Sequence, residues 1–215
     1  MPKKTFFHLT EEKQQRLLEA ASSEFSRTSL KGASIANIVK LAEIPRGSFY
    51  QYFEDKEDLY YYYFELLRQK RKKNIEKYLK EADGDLFKGM EVYFTKVIFD
   101  VLTGEHASFY QNFFMNMDYQ ATNRVSPQFT RNDEKGAYRQ KKRHGHELYK
   151  LIDRSKICIQ DEHEFKMLMQ MIMNTVYSSI AEGYRQLEEN PKYNIEQLVD
   201  DFKTKLGWLK NGICK

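Results

Sequence analysis

Between residues 162 and 189 apolar side chains recur every three or four positions, and there are more of them than one helix face can hold. Phe165, Leu168, Met169, Ile172, Val176 and Ile180 make one stripe, while Met167, Met171 and Met173 fall on other sides. This spacing predicts a long α-helix, because residues three and four apart share a face of the helical turn. A helix apolar nearly all round must be covered on more than one side. Ser178, Ser179, Ala181 and Gly183 would let a neighbouring helix come close, and Asn190 with Pro191 ends the segment. Ile195, Leu198, Val199, Phe202, Leu206 and Leu209 then define a last helix.

The same periodicity organises most of the remaining chain. Leu86, Met90, Tyr93, Phe94, Val97, Ile98, Val101 and Leu102 repeat at helical spacing up to Gly104, and Phe109, Phe113, Phe114 and Met117 make a shorter aromatic helix. Residues 121–132, with Pro127, read as a loop, and 134–154 as an unusually polar helix. Four prolines and ten glycines in 215 residues leave little room for a turn-rich all-β design. The expected fold class is all-α. The chain is long enough for one or two domains with a real core.

Charge and cysteine usage narrow the function. The net charge is only +4, so any nucleic-acid surface must be local rather than a basic coat. The basic run at 68–73 reads first as a solvated helix face, with a local positive potential as the alternative, and a second basic run lies at 141–143. Lys3 and Lys4 precede no apolar core of a signal peptide, and no uncharged run approaches the ~18–20 residues of a membrane span. Cys158 and Cys214 form no disulfide framework and suit a reducing cytoplasm; Cys158, between Ile157 and Ile159, reads as buried and inert. The pair His144 and His146 has no Cys or carboxylate at ligand spacing, so no metal site is expected. With no nucleophile elbow, no P-loop and no dinucleotide fingerprint, no catalytic residue and no cofactor is assigned.

The N-terminal quarter has a different character. Residues 1–9 read as a short mobile arm. Thr10, followed by Glu11 and Glu12, is an N-cap with acids in the first turn, and Leu17, Leu18, Ala21 and Phe25 line one face as far as residues 27–29. Gly32 allows a turn, Ser34 can cap a helix whose stripe is Ile35, Ile38, Val39 and Ala42, and Pro45 opens another at its first helical position. On this last helix Phe49 and Phe53 share an inward face and leave Arg46, Ser48, Gln51 and Tyr52 pointing elsewhere, with Tyr50 at the boundary. Two short helices joined by a tight turn, the second donor-rich on its outer face, describe a helix-turn-helix over about 34–53. In the following helix, Tyr60 to Tyr63 cannot share one face, so some are expected to pack on the three-helix head and others to face the C-terminal body.

The run from Thr10 to Leu59 resembles the TetR family of bacterial transcriptional repressors. The likeness lies in Ala20-Ala21 with Phe25, in Gly32-Ala33-Ser34-Ile35, and in Gly47-Ser48-Phe49-Tyr50-x-Tyr52-Phe53-x-x-Lys56-x-x-Leu59. It implies a DNA-binding domain over 1–56 and an effector-binding and dimerisation domain over 57–215. It further implies a homodimer through about 162–210, a double-stranded DNA operator, and a small-molecule effector whose binding lowers operator affinity. By position, Ser34 and Lys56 resemble phosphate-contacting residues; Arg46, Ser48 and Gln51 occupy base-facing positions. Tyr50 and Tyr52 resemble backbone- or groove-contacting aromatics, and Gly47 allows close approach. Ala36 and Pro45 depart from the polar residues common at those places, so side-chain contacts there are lost.

The aromatic surplus between Phe94 and Met117 and the methionines of 167–173 read either as a well-filled core or as the lining of a cavity for a largely apolar effector. The candidate lining is Phe94, His106, Phe109, Phe113, Asn116, Met117, Met169, Met173 and Tyr177. Two other readings stay open: a small-molecule carrier or enzyme whose helical head binds protein, and a constitutive DNA-binding protein without an effector.

Overall fold

The computed structural model describes residues 2–116 and 146–213, without the side chains of 70–73 and 213. Among these residues there is no strand. The helices are α1 (Lys4–Phe7), α2 (Glu11–Arg27), α3 (Ile35–Leu41), α4 (Arg46–Tyr52), α5 (Lys56–Glu81), α6 (Leu86–Thr103) and α7 (Ala107–Met115). After a helical stretch at 146–151 and a 3₁₀ turn at Arg154–Lys156 come α8 (Glu162–Glu189) and α9 (Ile195–Ile213). The expected loop at 121–132, the start of the helix at 134–154, and Met117, His144 and Gly145 lie outside the described residues. No described helix is long and apolar enough to cross a membrane.

Two compact units result. The first takes Met1–Lys70 and the described part of Thr103–Met117; the second takes Arg71–Leu102 and the described part of Asp118–Lys215. The first unit therefore extends past residue 56, and α7 belongs to it. Asn112 explains part of this, since its amide donates to the Phe25 and Ser26 carbonyls at 3.1 and 2.9 Å, where α2 ends.

In the first unit Thr10 caps α2 as expected, its Oγ1 accepting from the Lys13 N–H. The four tyrosines of α5 diverge. Tyr60 meets Phe25 and Phe109, Tyr63 meets Phe109, and Tyr62 meets Phe6 and Phe53. The N-terminal segment is not a mobile arm. Phe6 is fully buried against Phe53 and Tyr62, and the Lys3 N–H donates to the Tyr52 carbonyl at 2.8 Å. A four-residue helix is too short to show a sequence period, so only its docking reveals it.

In the second unit α5 ends on Asp83 (φ +50°) and Gly84 (φ +73°), with the Gly84 N–H returned to the Leu79 carbonyl. That left-handed close satisfies the last carbonyls of α5, and Asp85 then caps α6 through the Lys88 N–H. The predicted α6 stripe is buried throughout, and Phe94 stacks on Phe202 of α9 at 3.8 Å. Gly183 is the close approach expected on α8: a Cβ there would lie 2.7 Å from Leu198 and 2.8 Å from Leu102. Cys158 is exposed, contrary to expectation. Its segment is not helical, so neighbours alternate in and out: Ile157 is buried while Cys158 points to solvent.

Candidate nucleic-acid interface

The helix-turn-helix is built around one buried carboxylate that sequence reasoning missed. Glu24 of α2 is 2% exposed. It accepts from Arg27 Nε and Nη2 at 3.0 and 2.8 Å, from the Ser34 N–H at 2.7 Å and from Asn37 Nδ2 at 3.3 Å. The Arg27 hydrogen bond is the main cause holding its carboxyl below the usual carboxylate range, with burial opposing and Ser34 and Asn37 assisting. Ser34 occupies the N-cap position of α3, but its hydroxyl makes no cap bond. Ser34's own N–H is taken by Glu24, ten residues away, which does here what the acid of a capping box does from the third helical position.

The turn between α3 and α4 closes by a left-handed residue. Glu43 has φ +54°, its N–H donates to Lys40 and the Ile44 N–H donates to Val39, so α3 terminates in a Schellman turn. Glu43 also pairs with Arg16 at 3.1 Å. Pro45 then sits one residue earlier than expected, at the N-cap of α4, and Arg46 is the first helical residue. Proline's fixed φ suits either place, but as N-cap it leaves Arg46 to lead the helix.

On α4 the inward anchor holds: Phe49 and Phe53 are fully buried. Arg46, Gly47, Tyr50 and Gln51 are exposed, while Ser48 and Tyr52 are half-buried. Tyr50 is 42% exposed and stands edge-on to Phe49. A Cβ on Gly47 would meet nothing within 4 Å, so the fold makes no demand for glycine there. Lys56 Nζ donates to the Lys31 and Ala33 carbonyls at 2.9 Å each, which ties it beside the start of α3 and Ser34. Leu41, at the end of α3, is a half-exposed leucine that periodicity alone did not single out.

The effector candidates separate. His106, Phe109, Phe113 and Asn116 lie in the first unit. There Phe113 stacks on Phe64 at 4.0 Å, Phe109 meets Tyr63 at 5.0 Å, and His106 Nδ1 lies 3.3 Å from the Tyr63 hydroxyl, which also bonds Ser22. Burial raises the Tyr63 hydroxyl pKa, partly offset by Ser22. Asn116 donates to the Asn112 carbonyl. Phe94, Met169, Met173 and Tyr177 lie in the second unit, all buried. His146 bonds Glu162 at 2.9 Å, and no group of three or more metal-ligating side chains occurs among the described residues.

Comparison with known proteins agrees with this architecture. Residues 17–64 match the family profile of bacterial regulatory proteins, tetR family, and residues 85–213 match that of the tetracyclin repressor-like C-terminal domain. No curated protein matches the chain significantly in sequence. Among solved structures, SmeT, the repressor of the Stenotrophomonas maltophilia multidrug efflux pump SmeDEF, is 13% identical, covering 95% of this chain and 93% of its own at a TM-score of 0.57. The fatty acid degradation regulator FadR from Bacillus halodurans is 17% identical over 89% of this chain and 96% of its own, with a TM-score of 0.56. FadR from Bacillus subtilis, solved with stearoyl-CoA, is 19% identical over 93% and 98%, at 0.52. At these identities the structures attest the fold, and the two profiles attest the family. The chain belongs to the TetR family and is a DNA-binding transcriptional regulator.

Proposed function

We propose that the protein is a homodimeric repressor that reads a palindromic operator with α4 and leaves it when a small, largely apolar effector binds the C-terminal domain. The observation that carries the DNA part is the division of α4 between a buried Phe49–Phe53 anchor and an outer face bearing Arg46, Ser48, Tyr50 and Gln51. Arginine bidentate to guanine is the commonest specific base contact, and Arg46 is the long cationic donor of that face. Ser34 and Lys56, brought together at the start of α3, suit a phosphate; Gly47 suits close approach; Tyr52 flanks the groove contact. A footprint on genomic DNA should give a discrete palindrome. Arg46→Ala should cost about 1–3 kcal/mol of operator affinity and relax selectivity at one position per half-site. Unchanged selectivity across single-base operator variants would remove Arg46 from this role.

The dimer is assigned to α8 and α9. His163, Met167, Met171, Asn174 and Ser178 form an exposed face of α8 at helical spacing. On α9, Trp208 is 70% exposed, and a Cβ on its neighbour Gly207 would meet nothing within 4 Å. Exposed methionine and tryptophan beside a glycine that this chain does not need support coverage by a second copy. A wild-type chain sedimenting as a monomer at micromolar concentration would refute the assignment.

For the effector, the apolar groups Phe94, Met169, Met173 and Tyr177 of the second unit support a ligand of matching character. An effector releases DNA only by favouring the DNA-incompetent state, so it must discriminate between the two. A screen of apolar compounds should find one that raises the melting temperature and weakens operator binding.

A further inference from the structure

The reading helix is held at its C-terminal end by the first residues of the chain. Helix α4 has seven residues, well below the ~12–15 at which isolated helices become even marginal in water, so its last turn depends on outside partners. The Phe49 carbonyl is taken by the Phe53 N–H at 2.9 Å. The three carbonyls that follow all accept from the N-terminal segment. Tyr50 accepts from Lys3 Nζ at 2.9 Å, Gln51 from Thr5 Oγ1, and Tyr52 from the Lys3 N–H at 2.8 Å. Every remaining carbonyl of the turn is thereby satisfied, and the ammonium lies where the helix dipole is negative. Phe6 pins the segment, its ring 5.2 Å from that of Phe53.

We propose that Lys3 and Thr5 are positioning residues for DNA readout: the N-terminal segment is a strap that fixes the last turn of α4 and so the direction of its base-facing residue Gln51. This rests on α4 being the reading helix. In this arrangement both residues are engaged by the protein itself. The Lys3 ammonium is engaged by the Tyr50 carbonyl and by Glu54 at 3.3 Å, and Thr5 acts through the Gln51 backbone. The strap separates two properties that a loose helix would lose together. A backbone contact that orients base-reading side chains affects specific binding, while non-specific binding follows the count of phosphate contacts.

The test uses the full-length protein and Thr5→Val, which removes the donor at constant shape and charge, with Thr5→Ser restoring the hydroxyl. Affinities for the footprinted operator and for random DNA are measured across a salt series, together with amide hydrogen exchange in α4. Thr5→Val should weaken operator binding about tenfold, the size expected from one lost hydrogen bond, and leave random-DNA affinity and its salt slope unchanged. The amides of α4 should exchange faster, and Thr5→Ser should behave as wild type. Wild-type operator affinity in Thr5→Val, or an equal proportional loss on operator and random DNA, would overturn the proposal. If the wild type footprints no operator, the reading of α4 fails instead, and the exchange comparison still decides whether the strap holds the helix.

Discussion

Replacing Gly47 by alanine tests whether α4 faces DNA, because the protein's own packing and its ligand should judge the substitution in opposite directions. Gly47 is the second residue of α4, is exposed, and a Cβ built on it meets nothing within 4 Å. No clash is created, and alanine lowers the entropy cost of forming the helix. The fold should gain about 0.5–1 kcal/mol. For a chain of this length that is a rise of roughly 1–4 °C in melting temperature. A duplex seated against the helix has no room for the added methyl, so operator affinity should fall at least about tenfold, or ~1.4 kcal/mol. Gly183→Ala is the internal contrast. Its Cβ would lie 2.7 Å from a Leu198 methyl and 2.8 Å from a Leu102 methyl, both on buried side chains, so crowding should offset the helix-propensity gain and leave melting temperature no higher than wild type, without any direct effect at α4. Thermal denaturation and fluorescence anisotropy on the footprinted operator read both quantities. A Gly47→Ala protein that binds the operator as tightly as wild type would refute the placement of Gly47 at the DNA. A lower melting temperature would refute the claim that the fold makes no demand there.

The remaining expectations concern the cap, the helix corner and the dimer. Glu24 has a lowered folded pKa, so its stabilisation is complete above the unfolded value of about 4.3 and is lost as pH falls through the folded value. Glu24→Gln should cost about 1–3 kcal/mol at neutral pH and remove this part of the acid sensitivity, read by denaturant melts between pH 3 and 7. Gly84→Ala forces alanine to φ +73° with its Cβ 2.7 Å from the Asp153 backbone nitrogen, so it should destabilise by at least ~2 kcal/mol in the same assay. Met171→Glu should leave the fold of one chain intact, since Met171 is 49% exposed, but give a monomer by sedimentation that binds operator weakly, because two half-sites need two linked heads. A stable Met171→Glu dimer would move the interface off this face.

The sequence by itself determined what depends on neighbours three or four residues apart. The stripes of α2, α3, α6, α8 and α9 are each a local period, so all-α architecture and the paired short helices around residues 34–53 were legible without coordinates. So was the divergence of Tyr60 to Tyr63, which follows from helix geometry alone. The placement of Phe49 and Phe53 inside and of Arg46 and Gln51 outside α4 came from the same rule. What the tertiary structure decided depends on partners distant in the chain, or on backbone that is not periodic. Ser34 has a capping residue's identity and position, yet its hydroxyl makes no cap bond, and its own N–H goes to Glu24 because a folded α2 brings a buried carboxylate there. Cys158 is exposed because its stretch is not helical, where sequence neighbours face opposite ways. Asn112 and α7 join the first unit through carbonyls more than eighty residues earlier, a pairing no local pattern encodes. Residues 3–7 look like a frayed end until Phe6 finds its pocket and α4 supplies three unpaired carbonyls; both conditions exist only after the chain has folded.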